Sequence, residues 1–193
     1  MRSVKHPSSR GELSQVHARF DKRRTDPNGR AVRPRLYIVG EAPGAEEAEQ
    51  GRPFVGPAGA ALREMLTEAR VDQAQLRLAN AVPFRPLDYK SGRTRSRAPT
   101  VQEIARLGRF ALADIAEAAP LVVLALGKAA ARLFGVRKRI QQARESRHQF
   151  GGRPLMVTYH PAYVRRFGGK GSDLWRQTVA DIRRAWLIAA RDD

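Results

Sequence analysis

From Leu36 onward, short apolar runs alternate with segments whose apolar positions recur every three or four residues, the signature of strands followed by amphipathic helices. Leu36-Tyr37-Ile38-Val39, Leu76-Arg77-Leu78-Ala79, Leu121-Val122-Val123-Leu124 and Leu155-Met156-Val157-Thr158 predict four strands, two of them nearly continuous apolar runs of the kind found when both sheet faces are covered. Ala58 to Ala69 predicts a helix with Leu62, Met65 and Leu66 on one face. Thr100 and Glu103 form a Thr-x-x-Glu capping box for a helix that carries Ile104, Leu107, Ala111 and Ile115 and ends before Pro120. Lys128 to Phe134 predicts a short third helix. Ser172 caps a longer last one, through Ala190, with Trp175, Val179, Ile182 and Trp186 inward. Alternating strands and helices imply an α/β fold: a three-layer αβα sandwich with a central four-stranded parallel sheet.

Ligands of such sheets bind beyond the carboxyl ends of the strands. That rule selects Gly40-Glu41-Ala42-Pro43-Gly44, Asn80, Gly127-Lys128 and His160-Pro161, which should converge on one cleft. Residues 1–33 read as a basic arm, with the charge run Asp21-Lys22-Arg23-Arg24 and the turn Asp26-Pro27-Asn28-Gly29, packed in part through Leu13, Val16 and Phe20. Residues 34–193 then form a single domain. Arg85 to Ala98 is the one long loop-like insertion.

Composition narrows the chemistry. The 193 residues hold 36 Lys+Arg against 19 Asp+Glu, a formal net charge of +17, so a polyanion is the expected partner. Of the 36, 30 are Arg, a bias that a GC-rich genome also produces. There is no cysteine, which excludes disulfides, a thiolate nucleophile and Cys-ligated zinc or iron–sulfur clusters. His6, His17, His148 and His160 have no metal-binding spacing, so neither metal nor cofactor is expected. The apolar runs are too short to span a bilayer, and Met1 to Arg35 has no apolar core of a signal peptide. A monomeric, cytoplasmic, nucleoid-associated protein is expected.

Gly127-Lys128 fails as a phosphate-binding P-loop, because Val122 and Ala129 occupy its first glycine and its Ser/Thr positions. Gly40 to Gly44 lacks GxGxxG spacing, and Pro43 removes a backbone N–H. Gly168-Gly169-Lys170-Gly171-Ser172 could meet a phosphate at a helix N-terminus but reads better as a flexible linker. An acidic turn, a strand-end amide and a strand-end histidine remain. That set suits recognition and departure of a heterocyclic leaving group: an amide matches the edge of a ring such as uracil, a histidine can hydrogen-bond a developing anion, and a carboxylate can stabilise an oxocarbenium-like sugar or position a water.

Gly40-Glu41-Ala42-Pro43-Gly44 followed by Gly51-Arg52-Pro53-Phe54-Val55-Gly56-Pro57-Ala58-Gly59 resembles the paired signature of the uracil-DNA glycosylase superfamily, nearest its family four. Further matches follow in order: Asn80 in Asn-x-Val, Arg85-Pro86, Arg97-x-Pro99-Thr100-x-x-Glu103, Ala125-Leu126-Gly127-x-x-Ala130, and His160-Pro161-Ala162-Tyr163-Val164-Arg165. The resemblance implies that Gly40, Ala42, Pro43 and Gly44 shape a uracil pocket. Phe54 stacks on the flipped base, Asn80 reads its edge and His160 holds O2 as the anion leaves. Glu41 shapes the pocket or polarises water, and Glu47 is a second carboxylate candidate, whereas Glu46 and Glu49 read as a solvated face. It further implies a loop, Tyr163-Val164-Arg165, wedged into the duplex, and a phosphate at Gly127-Lys128. Arg137, Lys138 and Arg139 are basic candidates for DNA contact.

The chain departs from the family pattern where Phe84 and Leu107 stand at positions expected for cluster cysteines, so apolar packing around Phe84, Leu107 and Phe20 is expected instead. Gln141 stands where a related group has a histidine that traps product covalently, so trapping is not expected. Ala42 stands where family one has an aspartate. The expected function is hydrolysis of deoxyuridine in DNA to an abasic site, without strand cleavage. A glycosylase for another deaminated base and a noncatalytic binder of uracil-containing or abasic DNA are the alternatives.

Overall fold

A computed structural model describes residues 32–90 and 92–191, so the expected arm over residues 1–33, with Leu13, Val16 and Phe20, lies outside the described residues apart from its last two. In chain order the elements are β1 (Leu36–Gly40), α1 (Ala45–Gln50), α2 (Pro57–Glu68), β2 (Leu76–Asn80), β3 (Leu87–Lys90), β4 (Arg93–Ser96), α3 (Val101–Leu107), α4 (Arg109–Ala118), β5 (Val122–Leu126), α5 (Gly127–Leu133), α6 (Ile140–Glu145), β6 (His148–Phe150), β7 (Arg153–Thr158), α7 (Pro161–Phe167) and α8 (Asp173–Ala189). All four expected strands form and pair in parallel, in the order β2-β1-β5-β7. The sheet has five strands rather than four: β6 adds an antiparallel edge on β7, a polar three-residue segment without the apolar run that marks a buried strand.

The period of two along the central strands sorts their side chains into two layers. Leu36, Ile38, Leu124 and Leu126 pack against Leu62, Met65 and Leu66 of α2 and Val179 and Ile182 of α8. Val39, Val123 and Ala125 pack on the other face against Ala111 and Ile115 of α4 and Ala130 and Ala131 of α5. β1 and β5 are buried along their whole length, which fixes the middle of the sheet.

The capping box forms as expected, with Glu103 N–H donating to Thr100 Oγ1 at 3.1 Å and Thr100 N–H donating to the Glu103 carboxylate at 2.7 Å. The helix it starts is divided at Gly108 into α3 and α4. A Cβ there would lie 2.3 Å from Leu133 Cδ1, so the glycine lets α5 pack closely at the junction. At the carboxyl end of β7, Thr158 donates to Asp181 of α8 at 2.6 Å, and Arg144 bonds the same carboxylate oxygen at 2.5 Å. This buried node holds the strand end from which residue 160 departs. Among the described residues, no helix is long and apolar enough to cross a membrane.

Candidate active site

The parallel register sets Gly40 beside Asn80 at the carboxyl ends of β1 and β2. Ala81 N–H donates to Gly40 C=O at 2.9 Å, extending that pairing past the strand end. Asn80 is 8% exposed, and its carboxamide has no hydrogen-bond partner among the described residues. A Cβ on Gly40 would come within 2.5 Å of both Asn80 Oδ1 and Phe54 Cζ. The missing side chain is therefore what allows Asn80 and Phe54 to meet over the end of β1.

Phe54 sits in a conformation costly for a bulky residue, with φ +56°. One hydrogen bond holds it there and one glycine makes room for it. Its carbonyl accepts from Arg63 Nη1 at 2.8 Å, and a Cβ on Gly59 would lie 1.8 Å from the same oxygen. The ring, 5% exposed, stacks toward His160 with centroids 6.4 Å apart and planes 27° from parallel.

Glu47 is buried although its neighbours Glu46 and Glu49 are exposed. Its Oε1 accepts from Gly56 N–H at 2.9 Å, and a Cβ on Gly44 would lie 2.5 Å from Oε2. The carboxylate thus clasps the turn after β1 to the loop that carries Phe54. Glu41, in that turn, keeps an unclasped carboxyl whose pKa is raised by burial.

His160 is the N-cap of α7, and Ala162 N–H donates to its Nδ1 at 3.2 Å. A neutral ring so held carries its proton on Nε2. Burial pushes its pKa down to about 4, with the Glu47 charge pulling the other way. Gly127, at φ +80°, makes room for it: a Cβ there would be 2.8 Å from His160 Cβ.

The expected convergence on one cleft is present for the turn after β1, Asn80 and His160, whereas Gly127 and Lys128 line a neighbouring cleft instead. Gly44, Glu41, Ala42, Pro43, Glu47, Phe54, Asn80 and His160 line one cavity of about 520 Å³, with Arg85, Ser96, Arg97 and Arg165 on its walls. A second cleft of about 700 Å³ shares Glu41 and His160 and continues past Gly127, Lys128 and Gln141 to Tyr159 and Tyr163. Arg85 and Arg97 belong to the ordered motif set but received no site role from the sequence; that place in the set was the available signal.

The expected DNA-binding residues are not all placed alike. Tyr163-Val164-Arg165 is not a loop but part of α7, started by the His160 cap and Pro161 at its first position. Val164 is fully buried and faces the core, so of the three only Tyr163 and Arg165 reach solvent. Lys128 is exposed at the second cleft. Arg137 lines a separate groove with Val101, Ile104 and Arg132, while Lys138 bonds Ser146 Oγ at 3.1 Å and Arg139 caps α6.

Residues 27–183 match the family model described as the uracil DNA glycosylase superfamily. The chain belongs to that superfamily. It is by membership a DNA glycosylase, a hydrolase of N-glycosidic bonds. It is similar to the type-4 uracil-DNA glycosylase of Thermotoga maritima, 36% identical over 154 residues that cover 78% of this chain and 76% of that protein. It is also similar to the type-4 uracil-DNA glycosylase of Pyrobaculum aerophilum, 35% identical over 143 residues, 68% of each chain. That of Archaeoglobus fulgidus is 29% identical over 138 residues, 67% of this chain and 66% of its own.

The iron–sulfur cluster that the resemblance to family four implies does not fit this glycosylase. The chain contains no cysteine. Phe84 and Leu107, at two of the positions expected for ligands, pack with Val82, Ile104, Ala129 and Leu133 in one apolar cluster that also touches Ala42. That surface has no thiolate to offer iron, and hydrocarbon fills it.

Proposed function

We propose that this protein is a monofunctional uracil-DNA glycosylase that extrudes deoxyuridine from DNA, hydrolyses its N-glycosidic bond and works without an iron–sulfur cluster. The observation that carries the reading is the meeting of an unpartnered Asn80 carboxamide, the Phe54 ring and a neutral His160 around one cavity at the sheet's carboxyl end. Extruding a base costs a few kcal/mol, least where uracil is mispaired. Phe54 supports the face of the extruded ring. Asn80 offers a donor to O4 and an acceptor to N3–H, a pairing that thymine shares and cytosine reverses.

As C1′–N1 breaks, its electron pair leaves with the base and negative charge gathers on O2. His160 Nε2–H donates to that oxygen, and because the ring is neutral it stabilises the anion by hydrogen bonding without a full proton transfer. The Glu41 carboxylate faces the oxocarbenium-like sugar and accepts a proton from the water that adds to C1′. No lysine side chain lines the cavity among the described residues, so the product is an abasic site with an intact strand.

The test is incubation with duplexes carrying one uracil or one thymine at the same position. Free uracil over multiple turnovers, with strand scission only after alkali, is the expected result. An intact uracil strand at stoichiometric enzyme refutes it. Hypoxanthine and xanthine substrates separate the reading from a glycosylase for another deaminated base. Single-site binding without turnover identifies a noncatalytic binder.

A further inference from the structure

The segment between Arg85 and Arg97, which carries no apolar pattern, is a two-stranded antiparallel hairpin formed by β3 and β4. Gly92, at φ +75°, turns the chain between the strands. Isolated hairpins are marginal in water, yet this one is anchored at its base from three directions. Arg97 reaches both Glu103 oxygens at 2.7 Å and Asp88 at 3.1 Å, Arg85 Nε donates to Ser96 Oγ at 2.9 Å, and Arg97 N–H donates to Pro86 C=O at 3.1 Å. The anchored base, through Arg85, Ser96 and Arg97, forms a wall of the cavity that holds Asn80 and His160. Four residues per strand carry the free end about 13 Å outward from that wall.

The outer part of the hairpin is cationic. Residues 85 to 97 contain five Lys or Arg and a single acid, Asp88, which is taken by Arg97. All four residues of β4 are exposed, and Arg93 and Arg95 have no ion-pair partner among the described residues. Tyr89, paired in register with Thr94, is 78% exposed. An exposed aromatic ring on a basic strand pair is the combination of stacking platform and positive charge that binds unpaired nucleic acid.

We infer that the β3–β4 hairpin is a DNA clasp: Arg93 and Arg95 take backbone phosphates beside the extruded nucleotide, and Tyr89 stacks on a neighbouring unpaired base. The inference rests on the glycosylase reading for its choice of polyanion, and it extends the DNA contact to a segment outside the family motifs. Each phosphate neutralised releases counterions and adds about 0.9 to the slope of log affinity against log salt. Stacking on an aromatic ring is base-tolerant and insensitive to salt by comparison.

The test uses a uracil-free duplex, so that binding is read without excision. Anisotropy titrations over a salt series are expected to give a slope about 1.8 shallower for Arg93→Ala/Arg95→Ala than for wild type, with Arg93→Lys/Arg95→Lys retaining the wild-type slope. Tyr89→Ala is expected to bind a single strand roughly tenfold more weakly at unchanged slope. Single-turnover excision at subsaturating enzyme is expected to fall in step with the lost affinity. An unchanged slope in the double alanine variant, with its melting temperature intact, overturns the inference and leaves the hairpin to another acidic partner. Absence of uracil release by the wild type sinks the glycosylase reading alone.

Discussion

Replacing Gly40 with alanine tests whether Asn80 and Phe54 act as one recognition surface. The added methyl would stand 2.5 Å from Asn80 Oδ1 and 2.5 Å from Phe54 Cζ, against an optimal separation of about 3.5 Å for carbon contacts, so each group must retreat by about 1 Å. The Phe54 backbone is held, since Arg63 bonds its carbonyl at 2.8 Å and Gly59 backs closely on the same oxygen. The Asn80 backbone is fixed by the β1–β2 register. Only the amide and the ring can turn, which spoils the recognition geometry while leaving the fold. Overpacking of this kind costs about 1–3 kcal/mol, and a displacement of 1 Å in positioned groups lowers a rate by about 10²-fold. Single-turnover uracil release at saturating enzyme reads the rate, a thermal melt reads the fold, and affinity for a uracil-free duplex reads the DNA surface. The expected variant melts a few degrees lower, binds duplex as wild type and excises about a hundredfold more slowly. Excision within about threefold of wild type would refute the shared role of Asn80 and Phe54.

Protonation of Glu41, raised by burial, is expected to give kcat an acid limb above the ordinary carboxylate value of about 4.5, absent from the slow residual rate of Glu41→Gln. His160 is depressed to about 4, so between that value and about 6.5 the unfolded chain binds the extra proton; stability therefore falls as pH drops through this window, by up to about 3 kcal/mol. Urea unfolding at pH 7.5 and pH 4.5 should show a smaller difference for His160→Gln than for wild type. Glu47→Ala removes the acceptor of Gly56 N–H and is expected to destabilise by about 1–3 kcal/mol, whereas Glu47→Gln, which keeps an acceptor, should retain most of the stability; equal melting temperatures would deny the clasp. Leu107→Ala in the apolar cluster beside Phe84 is expected to cost about 2–5 kcal/mol in denaturant unfolding, and a loss under 1 kcal/mol would mean that the cluster is loosely packed.

The central sheet was legible because its strands are buried on both faces and therefore read as apolar runs, and the carboxyl-end rule then brought Asn80, His160 and the turn after β1 to one cleft. The elements that escaped are short or polar. β4 is exposed at every position, so it shows no alternation, and the seven residues of α7 give too little periodicity to separate a helix from a loop. That shortness also hid the inward direction of Val164. Glu47 could not be told from Glu46 and Glu49 by residue type, since only the six-residue turn of α1 decides which of three glutamates points inward. Nor does a phenylalanine announce a left-handed backbone: Phe54 adopts it because Arg63 and Gly59, both distant from the motif's obvious chemistry, close on its carbonyl.

The absence of cysteine bears directly on this site because of where hydrocarbon packs. Val82 follows Asn80 by two residues, and Ala42 lies in the turn that carries Glu41; both belong to or touch the cluster built by Phe84, Ile104, Leu107 and Ala129. A metal cluster would hold such segments by a few strong bonds of fixed length. Close packing holds them by many weak contacts, each sensitive to a gap of less than 1 Å. The cleft end of β2 is therefore supported by side-chain volume, and truncation at Leu107 should loosen Asn80 before it unfolds the sheet. Excision by Leu107→Ala should then fall at temperatures well below its melting transition, whereas a rate that tracks wild type up to the transition would show that β1 and β2 position Asn80 unaided.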